Sequence, residues 1–147
     1  MVEVRALLPA DRTQWLDLRQ ALWPDSDAAG LGGEIDEYLP TNHKTTAIGA
    51  FDSDRLVAFA EASIRPWGEG CDTAPVGWLE AVYVVPERRR SGIARALVAA
   101  VESWSRTKGL KELGSDALIE NALSIARHAQ WGFVETERLV MFRKVLV

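Results

Sequence analysis

The sequence predicts an α/β (α+β) fold: a mixed, mostly antiparallel central sheet of six or seven strands, with one parallel pair, flanked by about four helices. Three observations carry this. Residues 78–85 form an apolar, β-branched run that reads as a buried strand, and Pro86 stops it. After a basic turn, Ile93, Leu97, Val98, Val101 and Trp104 recur at helical spacing, and Gly109 supplies a C-terminal stop. Residues 45–51 and 56–64 read as two strands joined by Asp52-Ser53-Asp54, a hairpin. Residues 111–116 read as a further strand, parallel to 78–85 because a helix connects the two.

The remaining elements follow in order. Residues 2–8 alternate in character and read as the first strand. Asp11, with Gln14 three residues on, reads as a capping box for a helix whose apolar stripe is Trp15, Leu18 and Leu22. Trp23-Pro24 ends that helix. Residues 25–33, rich in Asp, Ala and Gly, read as a loop, and 34–39 as a short helix closed by Pro40. Residues 65–75 are a loop holding Pro66, Trp67, Gly68, Gly70 and Cys71. Residues 120–130 read as a helix with Ala122, Ile125, Ala126 and Ala129 as its buried stripe. Residues 132–137 and 139–147 read as the last two strands.

A chain of 147 residues, 48% hydrophobic, suits one domain spanning 1–147 with a substantial core. Seventeen basic and twenty-one acidic side chains give a net charge of −4, which argues against a nucleic-acid binder and fits a cationic ligand. Cys71 is the sole cysteine, so no internal disulfide forms, and nothing in the pattern pairs it with a base. His43 has no partner pattern. No signal-like segment or long apolar span is present, so the expectation is a cytoplasmic protein with no membrane partner, and no metal is expected.

The strand–turn–helix unit suggests phosphate binding. A helix start exposes unpaired backbone N–H groups and a partial positive charge. Gly92 permits close approach, and Arg88, Arg89, Arg90 and Arg95 add formal charge. The spacing Arg89-x-x-Gly92-x-Ala94 is neither a dinucleotide fingerprint nor a P-loop. By itself it leaves an anion site and a solvated basic turn equally open.

Two carboxylates lie where chemistry is expected. Glu80 interrupts the apolar run of 78–85, where carboxylates are uncommon, although a solvent-facing or ion-paired position is the alternative. Asp116 ends the neighbouring parallel strand, where open α/β sheets place ligands; taken alone, a loop or N-cap aspartate is the better reading of it. Asn121, Ser124 and His128 share one helix face at i, i+3 and i+7. Lone helical histidines are more often structural. Trp23 and Trp67 sit in loops, where aromatic faces can stack on sugars and attract cations.

Arg89-x-x-Gly92-x-Ala94 after an apolar strand resembles the acetyl-CoA signature of the GNAT family of N-acetyltransferases. The resemblance implies that the turn's amides, from Arg89 through Arg90, Ser91, Gly92 and Ile93 to Ala94, hold the CoA pyrophosphate. It also implies a bulge in the preceding strand, with Val82, Tyr83 and Val84 on the acetyl-pantetheine arm and the Val82 amide on the thioester oxygen. His128 stands four residues before Gly132-Phe133, where many members carry a tyrosine that protonates the CoA sulfur.

Leu22-Trp23-Pro24, Ala62-Ser63-Ile64-Arg65, Gly70-Cys71-Asp72, Ser115-Asp116, Glu120-Asn121 and Glu135-Thr136-Glu137-Arg138 narrow the resemblance to the aminoglycoside 6′-N-acetyltransferase branch, over nearly the whole chain. That branch implies acceptor contacts from Trp23, Trp67, Glu80, Asp116 and Glu137, and a CoA contact from Asn121. Ser26 stands where relatives have histidine, Trp67 for tyrosine, and Phe142 for tyrosine. The implied activity is direct acetyl transfer from acetyl-CoA to an aminoglycoside 6′-amine, with Glu80 accepting the ammonium proton, by a homodimer paired through its C-terminal strands. The alternatives are an acetyltransferase for another polyamine or a protein amine, and a non-catalytic acyl-CoA sensor.

Overall fold

The computed structural model describes residues 2–147. Its sheet has five strands in the order β1 (Val2–Ala6), β2 (Thr45–Asp52), β3 (Arg55–Arg65), β4 (Val76–Val84) and β5 (Leu113–Ser115). The first four pair antiparallel, and β5 lies parallel to β4. The helices are α1 (Arg12–Leu22), α2 (Ala28–Ile35), α3 (Ile93–Thr107) and α4 (Ala122–Gln130). The expected hairpin, parallel pair and four helices are present.

The expected six or seven strands are five. Residues 134–147 take no regular structure and are exposed, and no residue from 132 on pairs with the sheet. A strand needs a neighbour whose N–H and C=O groups it can satisfy. The last strand of the sheet, β5, is only three residues long, so its free edge offers few backbone groups to a further strand.

The glycine-rich stretch read as a loop is helix α2, and the helix expected over 34–39 is its end plus the 3₁₀ turn Asp36–Tyr38. Asp27 caps it, its carboxylate accepting from Gly30 N at 3.1 Å. Low intrinsic propensity loses here to docking: Leu31 and Ile35 are buried, and Gly32 lies against Leu16 of α1.

The capping box at Asp11 does not form. A 3₁₀ turn, Pro9–Asp11, precedes α1, and the Asp11 carboxylate accepts from Leu8 N and from Arg5 (2.8 and 3.0 Å), which holds its carboxyl below the usual range. Gln14 instead ties α1 to the hairpin, accepting from Leu56 N (2.8 Å) and donating to Asp54 O (2.9 Å). The stripe expected on α4 is also uncovered: Ala122, Ala126 and Ala129 are exposed and Ile125 is half-buried.

The core is built from Trp15 of α1, Ile35 of α2, Val57 and Phe59 of β3, and Leu97, Val98 and Val101 of α3. Beneath α1 lies a buried polar cluster. Glu61 of β3 is 1% exposed and Arg19 is 2% exposed. Trp15 Nε1 donates to Glu61 at 2.8 Å, Arg19 reaches both Glu61 oxygens at 3.4 Å, and its other arm reaches Glu34 at 2.5 Å.

Candidate functional site

β4 and β5 share three residue pairs, ending at Leu79↔Ser115. Beyond that pair β4 runs on to Val84 without β5 beside it, so a groove opens. It encloses about 500 Å³ and is lined by Val82, Tyr83 and Val84, by Arg88, Arg89, Arg90, Gly92, Ile93, Ala94 and Arg95 of the turn and the α3 start, by Ala21 and Leu22 of α1, by Arg127 and Gln130 of α4 and by Trp131 just after it. The strand and turn residues singled out in the sequence, Ser91 excepted, thus share one groove. Its α1 and α4 walls were not read from the sequence, because they come from elements distant along the chain.

The α3 start carries the anion-binding geometry. Gly92 has φ +83° and no side chain caps the helix. The first helical bond runs from Ala96 N to Gly92 O (3.1 Å), so the amides of Ile93, Ala94 and Arg95 remain for a ligand. Arg90 also has positive φ, +62°. The arginines divide by task. Arg88 pairs with Asp52, Arg89 Nε donates to Val84 O at 2.8 Å, and Arg95 donates to Gln130 O at 2.6 Å, which joins α3 to α4. Among the described residues the guanidinium groups of Arg90 and Arg127 have no hydrogen-bonding or ion-pair partner, leaving their charge for the groove. Ser91, at the exposed rim, donates to Arg88 O.

Glu80 is a bulge. Leu79 pairs with Ala62 and Ala81 with Glu61, so Glu80 has no partner across the ladder. Its carboxylate accepts from Ser63 Oγ at 2.7 Å and from Arg65, whose Nη2 reaches both oxygens at 2.9 Å. Arg65 lies over the Trp78 ring at 4.4 Å. The alternative raised for Glu80, an ion-paired position, therefore holds; on β4 it lies two residues before Val82, the first strand residue of the groove lining. Ser63 and Arg65 were not read as site residues; their segment stood out only for its resemblance.

The other acceptor candidates are more dispersed. Asp116 directly follows β5 and is exposed, as is Glu137. Trp67 is 63% exposed. The loop carrying Trp67 and the segment carrying Glu137 touch: Thr136 Oγ1 sits 2.1 Å from where a Cβ on Gly70 would be, so only glycine fits there. Trp23 ends α1, with the Arg19 guanidinium 4.9 Å over its ring. Ser26 lies in the turn after α1, its N–H donating to Trp23 O and its carbonyl accepting from Gln20 Nε2, both at 3.1 Å.

On α4, Asn121 acts as N-cap, its Oδ1 accepting from Ser124 N at 3.1 Å. His128 is tightly placed. Nδ1 lies 2.7 Å from the Ser124 carbonyl and Nε2 2.8 Å from Ser115 Oγ, and the ring packs 5.3 Å from Trp131 and from Phe133. Burial, then the Glu112 and Asp72 carboxylates, push the Cys71 thiol up, which keeps it a poor nucleophile.

The acetyltransferase (GNAT) family model matches residues 13–133. The chain is 44% identical over 131 residues to an aminoglycoside N(6′)-acetyltransferase type 1 of Acinetobacter genomosp. 13, covering 88% of this chain and 89% of that one. It is 40% identical over 142 residues to a protein of the same name from Acinetobacter baumannii, covering 94% and 97%. A solved structure of AAC(6′)-Iy in complex with the bisubstrate analogue CoA-S-monomethyl-acetylneamine superposes with a TM-score of 0.94 at 34% identity over 99% of both chains. The groove beside β4, the uncapped α3 start and these likenesses lead to one conclusion: the chain belongs to the acetyltransferase (GNAT) family.

Proposed function

We propose that this chain is an aminoglycoside 6′-N-acetyltransferase that uses acetyl-CoA, one domain over 1–147 acting in the cytoplasm. The observation that carries the reading is the groove of Val82 to Ala94 with the Glu80 bulge two residues earlier on the same strand, supported by the two relatives' names and the bisubstrate complex of AAC(6′)-Iy.

In this reading the pyrophosphate lies on the amides and arginines of the turn, and the pantetheine arm runs along Val82–Val84. The Val82 N–H polarises the thioester oxygen. The acceptor lies among Trp23, Ser26, Trp67, Glu80, Asp116 and Glu137, whose carboxylates meet its ammonium groups. Arg65 and Ser63 hold the Glu80 carboxylate while it draws the proton from the ammonium, directly or through one water. The amine nitrogen attacks the thioester carbon, the C–S bond breaks, and His128 supplies the proton that the sulfur takes up. No acyl-enzyme forms. The deciding experiment mixes acetyl-CoA with a panel of amines and follows free thiol. Aminoglycosides carrying a 6′-amine are expected to release thiol; turnover of only another polyamine or a peptide amine would replace the acceptor, and none at all would favour a sensor.

Gly92→Val tests the cofactor half. A Cβ at Gly92 meets nothing in the chain within 4 Å, so the added bulk projects into open space by the helix start. A β-branched residue at positive φ adds backbone strain of about 1–3 kcal/mol, which a stable fold tolerates. CoA affinity by calorimetry is expected to fall at least about tenfold, one lost charge-assisted contact. Unchanged affinity in the folded variant would remove the turn from the cofactor site.

The proposed assembly is a homodimer. Val140, Met141, Phe142 and Leu146 are largely exposed, Phe142 at 92%, and Leu123 of α4 is uncovered as well. A contiguous apolar arm with unpaired backbone is the kind of surface a second copy covers. Light scattering is expected to give twice the 16.2 kDa chain mass, and removal of residues 139–147 to give the single mass. Monomer mass for the intact chain across micromolar concentrations would refute the dimer.

A further inference from the structure

We propose that Ser115 relays the proton between His128 and the CoA sulfur, so that the general acid of this enzyme is a serine–histidine pair. The proposal rests on the reading above, in which His128 supplies that proton. Ser115 stands at the last β4–β5 pair, where the strands part, opposite Leu79, which lies three residues before the first groove residue of β4, Val82. Its hydroxyl makes two contacts, Leu79 O at 3.2 Å and His128 Nε2 at 2.8 Å. The serine therefore bridges the acetyl-binding strand and α4.

The proton inventory follows from the partners. A carbonyl only accepts, so at 2.7 Å from Ser124 O the His128 Nδ1 carries its hydrogen. A neutral ring then leaves Nε2 an acceptor, and the single Ser115 hydrogen points to it. A protonated ring donates from Nε2 to Oγ, and the serine hydrogen turns to Leu79 O. The network has two fully bonded states that differ by one proton. The hydrogen freed toward Leu79 in the charged state is the one that can swing to a sulfur at the mouth of the strand split. Packing against Trp131 and Phe133 fixes the ring so that the exchange needs only the hydroxyl to rotate.

In the transfer step the acceptor nitrogen bonds to the thioester carbon and the C–S electron pair goes to sulfur. Ser115 Oγ gives its hydrogen to the sulfur and takes the Nε2 hydrogen of the imidazolium, leaving His128 neutral with Nδ1 still on Ser124 O. The proton removed from the acceptor passes by Glu80 to solvent, and a solvent proton recharges His128. Charge and atoms balance with no further reactant.

A double-mutant cycle tests the relay, run on whichever amine the panel shows to be turned over. Ser115→Ala and His128→Gln are each expected to lower kcat about 10²-fold, the scale of general acid catalysis, with KM for acetyl-CoA and CoA affinity little changed. The double variant is expected to be no slower than the slower single one, because both remove the same pathway. Ser115→Thr, which restores the hydroxyl, is expected to recover most of the rate. A serine that only braces β5 against α4 would alter melting temperature and KM and leave kcat. Wild-type kcat in Ser115→Ala with a slow His128→Gln overturns the relay and keeps His128 as the direct acid. Multiplying losses in the double variant overturn the relay as well. Wild-type kcat in both overturns the relay together with the His128 assignment.

Discussion

Glu80→Gln is expected to lower kcat/KM for an aminoglycoside by about 10²–10⁴-fold, the range for removal of a general base. It should also lower kcat itself while leaving CoA affinity nearly untouched. Three consequences combine. The proton acceptor is lost, and one carboxylate of a site for a polycation is lost. The third is set by the neighbour: Arg65 has its charge met by Glu80 at 2.9 Å on both oxygens, and no other acidic group contacts it among the described residues. The glutamine variant therefore leaves a cation beside the place where an ammonium must bind. Asp116→Asn has no such neighbour to strand. One charge-assisted contact is worth roughly 1.5–3 kcal/mol, so its effect is expected to be about ten- to a hundredfold, mainly in KM. Steady-state kinetics on kanamycin or tobramycin separates the two. Equal, small losses would show that Glu80 is only another acidic contact, and unchanged kcat/KM in both would abolish the acidic pocket.

The half of the site proposed to bind the cofactor was legible because it is local. The apolar run into β4, the stop at Pro86, the basic turn and the periodic stripe of α3 lie within about thirty consecutive residues, and strand and helix periods report burial directly. The acceptor half was legible only as single residues. Glu80 is separated from Arg65 by fifteen positions, and no spacing rule connects them before the strands are paired. The Glu80 bulge has the same origin: it is a property of two registers, Leu79↔Ala62 and Ala81↔Glu61, not of one strand.

The misread elements have a common cause as well. Residues 28–35 form a helix because α1 offers a surface for Leu31 and Ile35, not because Ala-Ala-Gly-Leu-Gly-Gly favours one. Residues 139–147 have strand composition without a strand to meet, since composition records the preference for a neighbour but cannot supply one. The same applies to Ala122, Ala126 and Ala129, whose apolar spacing on α4 faces no element of this chain.

Glu61→Ala is expected to destabilise the fold by about 3–5 kcal/mol near neutral pH, the usual cost of breaking a buried ion pair on one side. For a chain of this length that lowers Tm by roughly 6–20 °C. The Trp15 indole N–H loses its acceptor, and Arg19 keeps only Glu34, which is itself half exposed. Burial pushes the Glu61 carboxyl up from its ordinary 4.5 to about 7, with Arg19 and the Trp15 N–H pulling it back. The folded chain therefore holds this proton more tightly than the unfolded one. The stability Glu61 contributes is fully present below pH 4.5 and declines as pH rises toward 7, by up to about 1.4 kcal/mol per unit. The gap between wild type and Glu61→Ala should accordingly widen on acidification from pH 7 to pH 5. Arg19→Met is expected to cost less, because a stranded carboxyl can take up a proton whereas a stranded guanidinium cannot release one. Since Arg19 also lies over Trp23, both variants should raise KM for the acceptor more than KM for acetyl-CoA. Urea melts at pH 5, 6, 7 and 8 on the three proteins measure this. A gap that stays constant across that range would mean Glu61 titrates as an ordinary surface carboxylate, and a loss under about 1 kcal/mol would mean the cluster contributes no more than an exposed pair.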